Sequence, residues 1–234
     1  MTSVTTAMVF AAGLGTRLAP LTSETPKPLI EVKNRALIDH ILDRLAEFGI
    51  EKVIVNTHHL ACQISNHLSL RKDVFIALSH EENLLDTGGG LLKGLSLSDA
   101  PAPLFTINAD TIWKNSNQLL HKLERIWQSH RSLDLAMVLA PSKGKLAGEF
   151  ELDENGDVYR TERGKGKLIY AGIQIINPEI LVPFKEREKF SLNEVFLKAE
   201  VGEKRRLRNT KGILCDSIFH VGNFEELQYA NTHF

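Results

Sequence analysis

The residues best placed to do chemistry stand near the start of the chain. Ala11-Ala12-Gly13-Leu14-Gly15-Thr16-Arg17-Leu18 follows directly on the apolar run Ala7-Met8-Val9-Phe10-Ala11. Glycines at the end of a buried strand let backbone N–H groups approach a ligand and cradle phosphate oxygens. A plain strand-to-helix turn has the same letters, so the loop alone fixes no ligand. Two familiar phosphate loops are excluded: the dinucleotide fingerprint needs glycine where Leu18 stands, and the Gly-Lys-Ser/Thr of a P-loop is absent. What remains is Gly13-Leu14-Gly15-Thr16-Arg17 followed by Pro26-Lys27-Pro28. A guanidinium forks onto phosphate, and an ammonium is a point charge beside it. Prolines on both sides of Lys27 stiffen its backbone. A second glycine cluster, Thr87-Gly88-Gly89-Gly90, opens a helical stretch. Three glycines cost helix stability, and close backbone approach to a flat ligand is the expected compensation.

The elements that position these residues follow from periodicity. Short apolar runs at 7–11, 52–56, 74–78, 104–108 and 133–139 read as buried strands. Between them, Ile38, Ile41, Leu42 and Leu45 form a core-facing helical stripe ended by Gly49. Leu60, Ile64 and Leu68 mark another helix, 91–97 a third beginning near Thr87 or Gly88, and Leu119, Leu123, Ile126 and Trp127 a fourth. Strands alternating with helices over residues 1–140 imply a parallel sheet with helices on both faces. After Pro141 the rhythm changes. A hairpin turns at 153–157, a strand spans 170–176, a helix 191–199, and a strand at 218–221 leads into a helix from Phe224. With no Gly/Ser- or Pro-rich linker, one domain is expected, its half 141–234 layered on the sheet of the half 1–140.

Composition narrows the partners. The chain has 234 residues, 43% hydrophobic and 24% charged, enough for a core without staples. Lys plus Arg is 28 and Asp plus Glu 29, a net charge of −1. That balance gives no global reason to expect nucleic acid or an anionic membrane. The basic run 204–208 reads as a solvated strand face. Two cysteines make no disulfide framework and no zinc spacing, and His58-His59 form no metal-ligand spacing. No apolar run reaches membrane-span length and the start lacks signal-peptide character, so a cytoplasmic protein is expected.

The run from Met8 to Thr22, followed by Pro26-Lys27-Pro28-Leu29, resembles the signature of the sugar-phosphate nucleotidyltransferases, the NDP-sugar pyrophosphorylases. The likeness continues in order through Thr87-Gly88-Gly89-Gly90, Asn108-Ala109-Asp110, Gly148-Glu149-Phe150, Tyr170-Ala171-Gly172 and His220-Val221-Gly222-Asn223. It is nearest to short bacterial members that make UDP-N-acetylmuramic acid in cell-wall recycling. The resemblance implies an α/β, Rossmann-like three-layer fold with a mostly parallel mixed sheet. It also implies transfer of a nucleotidyl group from an NTP to a sugar-1-phosphate, with release of pyrophosphate.

By the same resemblance the triphosphate lies on Ala11, Ala12, Gly13, Leu14, Gly15 and Thr16, with Arg17 on the leaving pyrophosphate and Lys27 on the α-phosphoryl group. Glu81, Thr87, Gly88 and Asn108 complete the nucleotide side, and Asn56, Glu149, Arg163 and Gly172 the sugar-phosphate side. Asn56 equally suits a turn, and Arg163 a solvated loop. Asp110 takes the place of a magnesium ligand, although an Asp there also caps helices. Where many relatives carry a second ligand Asp, this chain has His220, a better donor for Mn²⁺ than for Mg²⁺. Metal ligation, a hydrogen bond to phosphate and a purely structural role are all open for it. Leu78 stands where relatives specific for thymidine or uridine place Gln, which leaves the base open. The resemblance thus implies Mg²⁺ or Mn²⁺ as cofactor, an NTP and a sugar-1-phosphate as partners, and a monomer or small homo-oligomer. At this length no second catalytic domain is expected. Mannose-1-phosphate guanylyltransferase, phosphocholine cytidylyltransferase and a weakly catalytic nucleotide-binding regulator are the competing functions.

Overall fold

A computed structural model describes residues 3–98, 102–114, 118–142 and 147–234 of the chain. Strand β1 (Thr6–Phe10) leads through a four-residue helix α1 (Leu21–Glu24) to a small ribbon, β2 (Glu31–Val32) and β3 (Arg35–Ala36). Then follow α2 (Leu37–Phe48), β4 (Lys52–Thr57), α3 (Ala61–Ser69), β5 (Phe75–His80), α4 (Asp86–Leu95), β6 (Leu104–Asn108), β7 (Thr111–Trp113) and α5 (Gln118–Ser129). The second half holds β8 (Leu135–Pro141), β9 (Phe150–Leu152), β10 (Asp157–Arg160) and β11 (Leu168–Ile176). It closes with α6 (Leu192–Ala199), β12 (Glu200–Val201), β13 (Arg206–Leu214), β14 (Ile218–His220) and α7 (Phe224–His233).

Among the described residues ten strands form one sheet across both halves, and β5-β4-β1-β6 run parallel at one side. The strand expected to be fifth in that parallel run, β8, leaves it. β11 pairs antiparallel with β6 through Ile173↔Ile107, and β8 lies beyond it, antiparallel to β11 and parallel to β13. An apolar run reports that a strand is buried, not which strand will occupy its edge. The basic run 204–208 enters β13, where Leu207 is buried and Arg208 exposed, while Arg205 and Arg206 are half-buried and pair with Glu200 and Asp157 rather than simply facing solvent.

Two apolar layers sandwich the sheet. One face packs α2, α3 and α5 through residues such as Ile38, Leu42, Ile64 and Leu123. The other packs α4 and α6 through Leu91, Val195 and Phe196. This is the three-layer arrangement that buried parallel strands require. Gly49 ends α2 at φ 97°, its N–H donating to Ala46 O while Ile50 N–H reaches Leu45 O. Ser191 and Glu194 form a reciprocal capping box on α6.

Candidate active site

The loop after β1 is built around Gly15. Its φ is +65°, and a Cβ there would lie 2.8 Å from Thr22 Cγ2 and 3.1 Å from Lys27 Cβ. The Thr22 hydroxyl donates to Gly15 O at 3.0 Å and secures the same turn. Gly13 differs: a side chain there would meet nothing within 4 Å, so its bareness keeps open space open. Behind the loop runs a buried chain of hydrogen bonds. Ala11 N–H donates to Asn56 Oδ1 at 2.8 Å, and Asn56 Nδ2 donates to Glu81 Oε1 at 2.7 Å. Glu81 Oε2 accepts the Leu85 N–H at 3.0 Å. The ends of β1, β4 and β5 and the start of α4 are thereby tied together. His58 Nδ1 donates to Glu81 O, and His59 Nε2 to Thr22 O, adding two struts that residue spacing did not reveal.

Opposite stands Asp110. It follows β6, and β7 begins at the next residue, so the helix-capping alternative is excluded. Lys27 Nζ lies 2.5 Å from Asp110 Oδ2. Burial pushes this carboxyl upward, but the Lys27 ammonium, helped by His220 and Arg17, holds it below the usual carboxylate range. Pairing of β7 with β14 puts His220 opposite Thr111, and Val221 N–H donates to Asp110 O at 2.9 Å. Nδ1 of His220 is 3.1 Å from Thr111 Oγ1, while its Nε2 is buried without a protein partner. Burial lowers the imidazole's pKa, against the pull of Asp110 and Glu226, and favours the neutral ring. Arg17 extends to the same corner: a Cβ on Gly222 would sit 3.2 Å from its Nη2.

The third wall corrects the reading of the glycine triplet. Gly88 and Gly89 N–H both donate to Phe190 O, at 2.9 and 3.1 Å. A Cβ on Gly88 would strike the Phe190 ring, and one on Gly89 the Glu188 carbonyl. A Cβ on Gly90 would meet Glu81 Oε1 and Asn56 Nδ2. The close approach that these glycines permit is therefore with the protein's own chain. Thr87 Oγ1 also accepts Leu192 N–H, so the second half is stitched to the start of α4. Preceding them, Asp86 holds φ +63°, and its Oδ1 accepts the Thr87 N–H at 2.6 Å.

These walls enclose a cavity of about 480 Å³. Of the residues expected in the site, Ala11, Ala12, Gly13, Gly15, Thr16, Arg17, Lys27, Asn56, Glu81, Thr87, Asn108 and Asp110 line it together. Leu14, Gly88, Glu149, Arg163, Gly172 and His220 are not part of that lining. Glu149 is held instead by Arg160 at 3.3 Å and by the exposed Arg163 at 3.6 Å. Gly172, at φ +79°, packs its backbone against Asn108 and Thr111. Sequence reasoning passed over Asp86 and Lys189 in the lining. Asp86 adjoined a motif already singled out, whereas no pattern marked Lys189. Among the described residues no group of three His, Cys, Asp or Glu is placed to hold a metal by itself.

The nucleotidyl transferase family model matches residues 6–159. The chain belongs to this family. It is 37% identical over 185 residues to an N-acetylmuramate alpha-1-phosphate uridylyltransferase of Caulobacter vibrioides, covering 74% of this chain and 76% of that protein. It is 32% identical over 200 residues to a mannose-1-phosphate guanylyltransferase catalytic subunit beta of Drosophila pseudoobscura pseudoobscura, covering 82% of this chain and 53% of that protein. The chain thus spans about half the length of the latter relative. A UDP-glucose pyrophosphorylase solved with UDP-glucose superposes with a TM-score of 0.77 at 15% identity, covering 98% of this chain and 97% of the other. HddC from Yersinia pseudotuberculosis, in complex with GMP-PN, gives 0.77 at 20% identity over 98% and 99%. These two likenesses are of fold. Among the described residues of this nucleotidyltransferase no helix is long and apolar enough to cross a membrane.

Proposed function

We propose that this nucleotidyltransferase joins the uridylyl group of UTP to N-acetylmuramic acid α-1-phosphate and releases pyrophosphate. The observation that carries the chemistry is the convergence of Gly13, Gly15, Arg17, Lys27 and Asp110 on one cavity. The substrates are taken from the 37% identical relative, which matches this chain over three quarters of both lengths. A phosphate oxygen of the sugar attacks the α-phosphorus in line. The new O–P bond forms as the bond to the β-phosphate oxygen breaks and pyrophosphate leaves. The nucleophile is already an anion, so no general base is needed, and the protein's work is positioning and charge neutralisation. Backbone N–H groups of the Gly13–Thr16 loop and the Arg17 guanidinium receive the β- and γ-phosphates. Lys27 faces the α-phosphoryl group.

Lys27 and Asp110 neutralise each other in the ligand-free chain. A divalent ion held by Asp110 and the triphosphate would release Lys27 to the phosphate. The donor set fits such an ion. Asp110 supplies a hard carboxylate, and the buried, unpartnered His220 Nε2 is a second donor when Nδ1–H is given to Thr111. The remaining ligands would be phosphate oxygens and water, and the ion would supply positive charge on the transferring phosphates.

The test is a panel of the four NTPs and UTP's deoxy counterpart, crossed with N-acetylmuramate, N-acetylglucosamine, mannose and glucose 1-phosphates. Pyrophosphate is measured with Mg²⁺ and with Mn²⁺. Highest kcat/KM for UTP with N-acetylmuramate 1-phosphate is expected. A preference for GTP with mannose 1-phosphate overturns the substrates but not the chemistry, and no turnover with any pair overturns both.

A further inference from the structure

Among the described residues three carboxylates line the cavity, and each has a partner. Glu81 is engaged by Asn56 and the Leu85 N–H, Asp86 by the Thr87 N–H, and Asp110 by Lys27. The three cations are placed differently. Arg17 and Lys27 belong to the stretch between β1 and β2, which the proposed function assigns to the triphosphate. Lys189 belongs to another wall, comes from the second half of the chain, and has no carboxylate partner among the described residues.

Its side chain is exposed, while the backbone beside it is held. Its neighbour Phe190 accepts from Gly88 and Gly89 and donates its own N–H to Leu85 O. Phe190 stacks on Phe184 with ring centroids 4.8 Å apart, and Arg187 lies over both rings while bonding Glu194. The braced backbone fixes the point from which the flexible Lys189 stem reaches into the cavity. The triphosphate already has its own cations and N–H donors, so the complement of Lys189 is a second anionic group at a different point of the bound pair.

We propose that Lys189 recognises a carboxylate carried on the sugar, apart from its 1-phosphate, and so sets preference for an acidic sugar phosphate. This rests on the N-acetylmuramate reading, in which the second substrate carries such a carboxylate and N-acetylglucosamine 1-phosphate is its neutral counterpart.

The experiment is calorimetric titration of both sugar phosphates into the full chain with a non-hydrolysable UTP analogue and Mg²⁺, alongside kcat/KM from pyrophosphate release. The wild type should bind the acidic sugar more tightly. Lys189→Met should collapse the acidic-to-neutral ratio about tenfold or more, the scale of one charge-assisted contact, and Lys189→Arg should restore most of it. Equal loss for both sugars assigns the cation to phosphate and overturns the proposal, as does an unchanged ratio. A wild type that favours the acidic sugar in binding yet releases no pyrophosphate overturns only the catalytic reading. A wild type without preference for the acidic sugar overturns the assignment.

Discussion

Lys27 and Asp110 are each other's counterions in the ligand-free chain, and the proposed function assigns one to phosphate and the other to a metal ion. Removing Lys27 takes away charge that matters most as the transferring group separates. Lys27→Ala should lower kcat by about 10²–10³, the usual loss for one preorganised electrostatic group, with a smaller change in KM for the NTP. Steady-state pyrophosphate release measures both, and a variant that keeps wild-type kcat removes Lys27 from the mechanism. Gly15→Ala should destabilise the fold by about 1–2 kcal/mol from the left-handed backbone alone, with more from the Thr22 contact, read by denaturant unfolding. These residues were legible because their spacing is local: glycines, Arg17 and Lys27 fall within one short stretch. The working partners of Asn56, Glu81, His58 and His59 were not. A side chain that braces a loop from a distant strand leaves no periodic mark near itself.

Among the elements, the contact between α4 and residues 188–190 makes the clearest demand. Gly88→Ala should force Phe190 from its stack on Phe184 and cost several kcal/mol by overpacking, so the melting temperature should drop with or without nucleotide. A variant impaired in nucleotide binding alone, with normal melting, would return the glycines to the ligand. Away from the cavity, Arg71 joins α2 to the turn before β5 by pairing with Asp39, Asp43 and Asp73. The hydrogen bond from Arg71 outweighs desolvation and holds the Asp73 carboxyl below the usual carboxylate range. A depressed acid stabilises the fold above its unfolded pKa and loses that contribution as pH falls through the folded value. The melting difference between wild type and Arg71→Met should therefore be full near neutrality and shrink below about pH 4. A gap that persists at pH 2.5 would assign it to packing. Strand and helix positions were readable because burial repeats every two or 3.6 residues. The place of β8 was not, because insertion of β11 beside β6 is a pairing choice between distant segments.

For the molecule as a whole, the near-zero charge conceals a local arrangement. Arg17, Lys27 and Lys189 meet in one cavity although the chain carries a net −1. With no group of three metal-ligating side chains among the described residues, the ion is expected to arrive with substrate. EDTA should abolish pyrophosphate release while leaving the melting temperature of the ligand-free chain within about a degree, and Mg²⁺ or Mn²⁺ should restore turnover. Strong destabilisation by EDTA would reveal a structural metal instead. His220→Asp should raise activity with Mg²⁺ relative to Mn²⁺, and an unchanged ratio would make His220 a structural residue. Cavity membership was legible for residues in motifs and, through the family resemblance, for Asn56 and Glu81. Lys189 stands on a charged segment, Lys185-Glu186-Arg187-Glu188-Lys189, whose letters look like solvated surface.

The hydrogen bonds from Gly88 and Gly89 to Phe190 bear on how the protein is made. They join positions about a hundred residues apart, and β6 likewise receives its neighbour only when β11 exists. Contacts so distant along the chain form late. A ribosome that has released residues 1–159 has therefore exposed a sheet with an open flank at β6 and a bare glycine turn on α4. The span that matches the family model is then a portion of a folding unit. Expressed alone, it should aggregate or bind no nucleotide, and the pocket should appear only once the segment around Phe190 has emerged.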